Sequence, residues 1–502
     1  MRDASRASTR LLPDRAADRE TEPPPDIHLR PAEDGREETG LGEARRKYSR
    51  HRMKLHPILA AVVTSLSVLP LTRAAENPLR GAVAASVERE FPSLLALYTD
   101  LHRHPELSLM EERTAGVMAR ELRAAGIEVT EGFGGGFGIV GVLRNGKGPT
   151  VLLRADLDGL PVQEETGAPY ASTKRMKNLA GQEVPVMHAC GHDVHMTCLV
   201  GAARALAALK DRWSGTVVFV GQPAEETGVG ARVMLAGGLY RQFPKPDFAI
   251  ALHDSATLPA GTIGVIEGFA MANVDSVDVT VRGVGGHGAY PHTTKDPVVL
   301  AARIVLSLQT IVSRENRPVD PVVITVGSIH GGTKHNIIPD EVKLQLTVRS
   351  YADDVRARTL EAIRRVCRGE AIAAGLPDDR MPVVAVSETE YTPATFNDPA
   401  LTRRLRGAFE RWLGAANVRT IDAEMGGEDF GRFGRTTEKV PISLFRVGAV
   451  APAAAAESAR TGQPLPSLHS SKFAPVPEPT LKTGVTALTA AALDLLGAQG
   501  GP

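Results

Sequence analysis

From about Val83, apolar residues recur at helical spacing through Phe91, Leu94, Leu95, Leu97 and Leu101, which predicts an amphipathic helix. Short β-rich runs follow at Gly138–Leu143 and Thr150–Arg154. The second is apolar through its body, as a strand covered on both faces would be. A helix is predicted over Val194–Leu209, a strand over Thr216–Gly221, a helix near Ala231–Ala236 and a strand over Phe248–Leu252. Strands alternating with helices predict an α/β fold, with a mixed, largely parallel sheet flanked by helices.

The pattern changes near Val274. Val274–Val281 alternates as a strand, Pro297–Val312 has helical spacing, and Val322–Ser328 and Val342–Arg349 alternate again. A long amphipathic helix over Val355–Ala374 and a strand over Pro382–Ser387 complete a βαββαβ order, that of a ferredoxin-like unit with its own core. We therefore expect a small domain over residues 274–388, inserted between two parts of a larger one, 83–273 and 389–498. The α/β pattern resumes after Phe396 and closes in a helix around Thr480–Leu496. The Ala- and Pro-rich stretch Val450–Pro466 is expected to be a surface loop.

The N-terminal region differs from the rest. Residues 1–52 are rich in Arg, Asp, Glu and Pro without apolar periodicity, and predict a disordered extension. A basic start at Met53-Lys54-Leu55-His56, an apolar run from Pro57 to Leu71 and the small-residue step Thr72-Arg73-Ala74 describe a signal peptide over 53–75. The run is shorter than the about 20 residues that a membrane span needs, though an uncleaved anchor is the alternative. Because a signal peptide opens a chain, we expect Met53 to be the true start and 1–52 not to be translated. The mature chain would begin near Ala75, be exported to the periplasm or secreted, and keep no stable membrane association. Basic and acidic residues balance at 58 each, which argues against nucleic-acid and polybasic membrane-surface partners. Three cysteines do not make a disulfide scaffold.

One cysteine lies in a chemical context. In Met187-His188-Ala189-Cys190-Gly191-His192-Asp193-Val194-His195, Cys190 and His192 flank a glycine that lets both side chains turn to one point. Thiolate and imidazole suit zinc and its neighbours. A lone Cys-x-His is usually packing, but three histidines, a cysteine and an aspartate here crowd into eight residues. Glu225-Glu226 follows the strand Thr216–Gly221, where ligands of α/β sheets gather. Adjacent glutamates can point apart, one to a metal and one to a substrate. Leu252-His253-Asp254, Leu468-His469-Ser470 and Arg154-Ala155-Asp156-Leu157-Asp158 also close β-like runs. Each alone is more often structural. Five such groups at the strand ends of one domain point to metal-dependent hydrolysis.

The motifs His102-Arg103-His104-Pro105-Glu106, Arg154-Ala155-Asp156-Leu157-Asp158, His188-Ala189-Cys190-Gly191-His192-Asp193 and Gln222-Pro223-Ala224-Glu225-Glu226 resemble those of one family. Gly286-His287-Gly288, Asn336-Ile337-Ile338-Pro339, Gly426-Gly427-Glu428-Asp429-Phe430 and Leu468-His469-Ser470 continue the likeness in order, from about Val83 to the C-terminus. The family is the aminoacylase/carboxypeptidase family of dinuclear metallopeptidases. Within it, the chain is most similar to the branch of hippurate hydrolases, N-acyl-amino-acid amidohydrolases and auxin-conjugate hydrolases.

The resemblance implies two divalent ions per subunit, held by Cys190, His192, Glu226, His253 and His469. Zinc is the first expectation for thiolate and imidazole ligands, with manganese, cobalt or nickel as alternatives. It implies Glu225 as general base and Asp158 as the carboxylate that orients the site, while related branches place a histidine ligand at the position of Asp156. The inserted segment would be a lid and dimerisation domain, making the protein a homodimer. From it His287 would stabilise the developing oxyanion, in its own or a partner's site, and Asn336 and Arg349 would grip a substrate carboxylate. For Arg349 the plain alternative is a surface arginine at a strand end. The expected substrates are N-acyl amino acids, hippurate-like or N-acetyl, or short peptides. A dipeptidase or carboxypeptidase on the same fold is the rival, and a silent binding protein would have lost Glu225 or a ligand. Cys190 as nucleophile or redox thiol lacks a separate general base. Asp254-Ser255 and Ser471 depart from the branch's pattern near the site without removing a ligand.

Overall fold

The computed structural model describes residues 78–498. The expectations for 1–52 and 53–75 lie outside them. A nine-stranded sheet forms the larger layer, in the order 128–133, 138–145, 213–222, 150–156, 248–259, 442–450, 263–265, 418–420, with 497–498 added beside 213–222. Its centre is parallel: Thr150–Asp156 pairs with Trp213–Gln222 and Phe248–Pro259, and Ile442–Val450 pairs with Phe248–Pro259. The pairs 128–133 with 138–145, and 138–145 with 213–222, are antiparallel.

Alternation explains the near-continuous apolar runs in these strands. Val151, Leu153, Val217, Phe219, Ile250 and Leu252 face one cluster, under the helices Pro78–Arg103, His192–Ala208 and Pro477–Leu495. Leu152, Val218, Val220, Ala249 and Ala251 face another, with Met234, Phe430 and Phe433. Both faces are covered, so neither side needs polar residues. Helix His192–Ala208 is buried on nearly every side and lies close against Pro477–Leu495. A Cβ on Gly201 would meet Val485 Cγ2 at 2.4 Å, and one on Gly484 would meet Cys198 Sγ at 2.4 Å.

A second sheet orders Val322–Gly331, Glu341–Ser350, Asn273–Arg282 and Val383–Val386, with every neighbouring pair antiparallel. Helices Pro297–Thr310 and Asp353–Ala373 bury a separate cluster against it, including Val277, Val279, Leu344, Leu346, Ile304 and Ile363. The element order is βαββαβ. Asp296 caps the first helix by accepting from Val298 N and Val299 N, and Pro297 opens it.

Val450–Pro466 is not the expected loop: Pro452–Thr461 is a helix. Pro452 at its first position, five alanines and Gly462 at φ 74° beyond its end all favour helix. The helix buries none of its residues, so it carries no apolar stripe to announce it.

His102, at the end of the first helix, is buried between two carboxylates. Its Nδ1 lies 2.6 Å from Asp193 and its Nε2 3.1 Å from Glu164, tying three segments together. Burial pulls the imidazole down, but Asp193 and Glu164 outweigh it and hold it charged, up to about 10. Its folded-state affinity for a proton is raised. Its contribution to stability is therefore full below the ordinary value of 6.5, declines above it and is gone beyond about 10. We expect His102→Gln to lose about 3–5 kcal/mol at pH 6 in denaturant titrations, with the deficit shrinking as pH rises. A deficit independent of pH would contradict a charged His102.

Candidate metal centre and active site

Cys190 and His192 stand at the start of helix His192–Ala208, and Gly191 between them is left-handed at φ 74°. A Cβ on Gly191 would lie 2.4 Å from Asp254 Oδ2, so glycine lets the neighbouring strand approach. His192 Nδ1 lies 2.8 Å from the Asp158 carbonyl, and His253 Nδ1 lies 2.8 Å from the Asp254 carbonyl. A carbonyl only accepts, so each Nδ1 carries the proton and each Nε2 presents a lone pair, the tautomer of a metal ligand. His192 Nε2 is buried without a hydrogen-bond partner, as is Glu226 Oε1. His253 Nε2 lies 3.7 Å from Cys190 Sγ, and His469 Nε2 lies 3.4 Å from Glu226 Oε2.

These donors form compact groups. Cys190, His192 and His253 make one, Cys190, Glu226 and His469 a second, and in each the ligand atoms lie within 4.8 Å of one another. Glu225 joins His192 and Glu226 in a third. The five residues expected as ligands thus converge, with Cys190 common to two groups. Orphaned buried nitrogen and oxygen atoms, a thiol and carboxylates in one spot fit divalent cations. Burial and Glu226 raise the Cys190 thiol, and burial raises Glu226 to about 8. Positive charge is what such a set lacks.

The Glu225-Glu226 turn is clamped from below. Asp158 accepts from Glu225 N at 3.2 Å, from Glu226 N at 3.0 Å and from Ser108 Oγ at 2.6 Å. The same residue's carbonyl fixes His192. Ala224 sits at φ 51°, and its N–H donates to the buried Glu111 at 2.8 Å. Burial, then Glu428 and Glu226, push the Glu225 carboxyl well above its usual range.

Further buried charges went unassigned in the sequence. His195 Nδ1 lies 2.6 Å from Asp156 and its Nε2 3.1 Å from Asp254, all three fully buried, and its ring lies against those of His192 and His253. Its spacing of three from His192 on a helix puts both on one face, a signal available in the sequence. Arg154, 1% exposed, reaches Asp156 at 2.7 Å, Glu428 at 2.9 Å, Asp429 at 3.3 Å and Gln222 at 3.0 Å. Both oxygens of Asp156 are therefore engaged, one by His195 and one by Arg154.

Two cavities of about 500 and 520 Å³ meet at Glu225, Glu226 and His469. Arg349 lines both from the second sheet, half-buried, with Nε on Thr347 Oγ1 at 2.9 Å and Nη1 on the Met425 carbonyl at 3.3 Å. Among the described residues no carboxylate pairs with it, so it is a cation facing the cleft rather than a surface arginine. His287 and Asn336 lie elsewhere. The Gly286–His287 strand pairs with Ile337–Ile338, Gly288 N donates to the Asn336 carbonyl at 2.8 Å, and both side chains are exposed. Neither lines the cavities at Glu225 of its own chain.

The family model described as Peptidase family M20/M25/M40 matches residues 152–463. Thermostable carboxypeptidase 1 of Saccharolobus solfataricus is 35% identical over 397 residues, 78% of this chain and 93% of that protein. N-acetylcysteine deacetylase of Bacillus subtilis is 34% identical over 351 residues, 69% of this chain and 86% of that protein. The crystal structure of the YxeP protein of Bacillus subtilis, described as a dinuclear metal binding peptidase of the M20 family, aligns with a TM-score of 0.64 at 28% identity. It covers 81% of this chain and 99% of that one. The family resemblance drawn from the motifs thus holds: the chain belongs to peptidase family M20/M25/M40 and is a metal-dependent amidohydrolase or peptidase of that family.

Proposed function

We propose that this enzyme hydrolyses the amide bond of N-acyl amino acids, with Glu225 as general base. The observation that carries the proposal is the cleft itself: a buried carboxylate, Glu225, shares two cavities with the unpaired Arg349. A substrate with a free carboxylate at one end and an amide beside it fits that pair. Cys190, His192, Glu226, His253 and His469 would hold two divalent ions, with zinc the first choice for thiolate and imidazole. When bound, such ions polarise a carbonyl and acidify water. Glu225 takes the proton from the attacking water and delivers it to the leaving nitrogen. Asp158 holds the Glu225-Glu226 turn by two backbone N–H groups while this happens.

Oxyanion stabilisation by His287 requires a second copy of the chain or a movement of the βαββαβ domain. We assign it to a partner in a homodimer, because His287 and Asn336 are exposed together at one end of that domain. The relative named carboxypeptidase supports a second reading, cleavage of short peptides. A panel of N-acetyl, N-benzoyl and dipeptide substrates separates the two: acyl-blocked amides should turn over faster than those with a free α-amino group. A chelator should abolish the activity and a divalent ion restore it. Mixing inactive Glu225→Ala chains with inactive His287→Ala chains should recover activity, and failure to do so would refute a donor from the partner.

A further inference from the structure

A third cavity, of about 320 Å³, is lined in part by Glu226 but not by Arg349. Leu107, Met110, Leu160, Pro161 and Leu179 line it, and it meets the 500 Å³ cavity at Glu226 and Thr227. One wall is a hairpin, Arg175–Lys177 paired with Glu183–Pro185, which the periodicity of the sequence does not announce. Its tip is fixed by Asn178, whose side-chain oxygen accepts from Ala180 N at 3.1 Å and Gln182 N at 2.9 Å. Between them Leu179 is held out at 76% exposure. A leucine on a rigid polar turn, turned towards an apolar cavity beside a ligand residue, has no core to serve. The segment that supplies Leu107 and Met110 is also held in place: between them Leu109, at φ 66°, donates its N–H to Glu111 at 2.9 Å, and Glu111 also accepts from Ala224 N beside Glu225.

We infer that this cavity is the acyl-group subsite, and that Leu179 selects N-acyl amino acids with a long or aromatic acyl group over N-acetyl ones. The inference rests on the amidohydrolase reading. With the substrate carboxylate at Arg349 and its amide carbon beside Glu225, the acyl group continues past Glu226, where this cavity opens. A fourth cavity, of about 570 Å³, adjoins the cleft at Glu424 and Leu468. It suits an alkyl chain less, because the Arg446–Glu424 ion pair at 2.7 Å stands where it meets the cleft.

The test compares kcat/KM for N-acetyl, N-octanoyl and N-benzoyl derivatives of one amino acid in metal-loaded wild type, Leu179→Ala and Leu179→Asp. Leu179 is exposed, so neither variant threatens folding. Wild type should prefer the octanoyl and benzoyl substrates, and Leu179→Asp should lower the ratio of their kcat/KM to that of the acetyl substrate at least about tenfold. Leu179→Ala should fall between. Equal effects on all three substrates, or none, would overturn the inference and leave the amidohydrolase reading intact. If metal-loaded wild type hydrolyses none of the three, the amidohydrolase reading fails first and the subsite falls with it.

Discussion

Glu225→Gln is expected to lower kcat by about 10²–10⁴-fold while the protein keeps its fold and its metal content. The amide keeps the shape of the carboxylate but cannot take a proton from water. Glu225 is held by its backbone N–H on Asp158, a bond that the substitution leaves in place. The neighbouring Glu226 keeps its unpartnered oxygen for a cation. Removing a carboxylate from beside Glu428 and Glu226 also relieves repulsion, so the variant should be at least as stable as wild type. Steady-state kinetics, metal analysis and a thermal melt of the same preparation check the three statements together. Full activity would remove Glu225 from the reaction. Loss of metal along with activity would make it a ligand rather than a base.

Arg154→Met is expected to be the most damaging single change to stability. One guanidinium faces three buried carboxylates, Asp156 two residues away along the chain and Glu428 and Asp429 274 and 275 residues away. Breaking one buried pair costs about 3–5 kcal/mol, against a typical total of about 5–15. Here several pairs break at once, and what remains is uncompensated negative charge. Burial already raises the Asp429 carboxyl to about 7. Arg154 holds the Asp156 and Asp429 carboxyls down, so without it both rise, protons can replace the lost cation and the deficit should shrink as pH falls. Arg154→Lys should sit between wild type and Arg154→Met, since an ammonium cannot serve Asp156, Glu428 and Gln222 from one planar fork. Thermal unfolding at pH 5 and pH 8 reads both effects, and an unchanged midpoint at pH 8 would contradict the account.

Much of this site was legible in the sequence for a simple reason. In a parallel sheet covered on both faces, strands are apolar, and polar residues at their ends stand out. His253 and the Glu225-Glu226 pair are visible that way, and Cys190 with His192 by the glycine between them. Arg154 was less legible as a counter-ion because its partners lie in other segments, and at the end of an apolar run it looks like any polar boundary residue. Asp254 holds other residues in place and leaves no spacing of its own, whereas His195 is signalled only by its spacing of three from His192 on one helix. The helix Pro452–Thr461 was missed because a helix without a buried face has no periodicity. His287 and Asn336 belong to motifs that name a role but not the chain whose cleft they would serve.

The sheet's central pair has a consequence for how the chain is made. Phe248–Pro259 and Ile442–Val450 lie side by side, yet the whole βαββαβ unit is translated between them. That unit is contiguous and has its own apolar cluster, so it can collapse while the ribosome is still at work. The larger layer cannot. Its fifth and sixth strands in space meet only after residue 442 has emerged, and helix His192–Ala208 waits for Pro477–Leu495 to close over Gly201. His469 arrives nearly as late. A nascent chain stalled after the small domain would carry four of the five proposed ligand residues and no finished pocket, so the complete donor set forms only once the last segment has emerged.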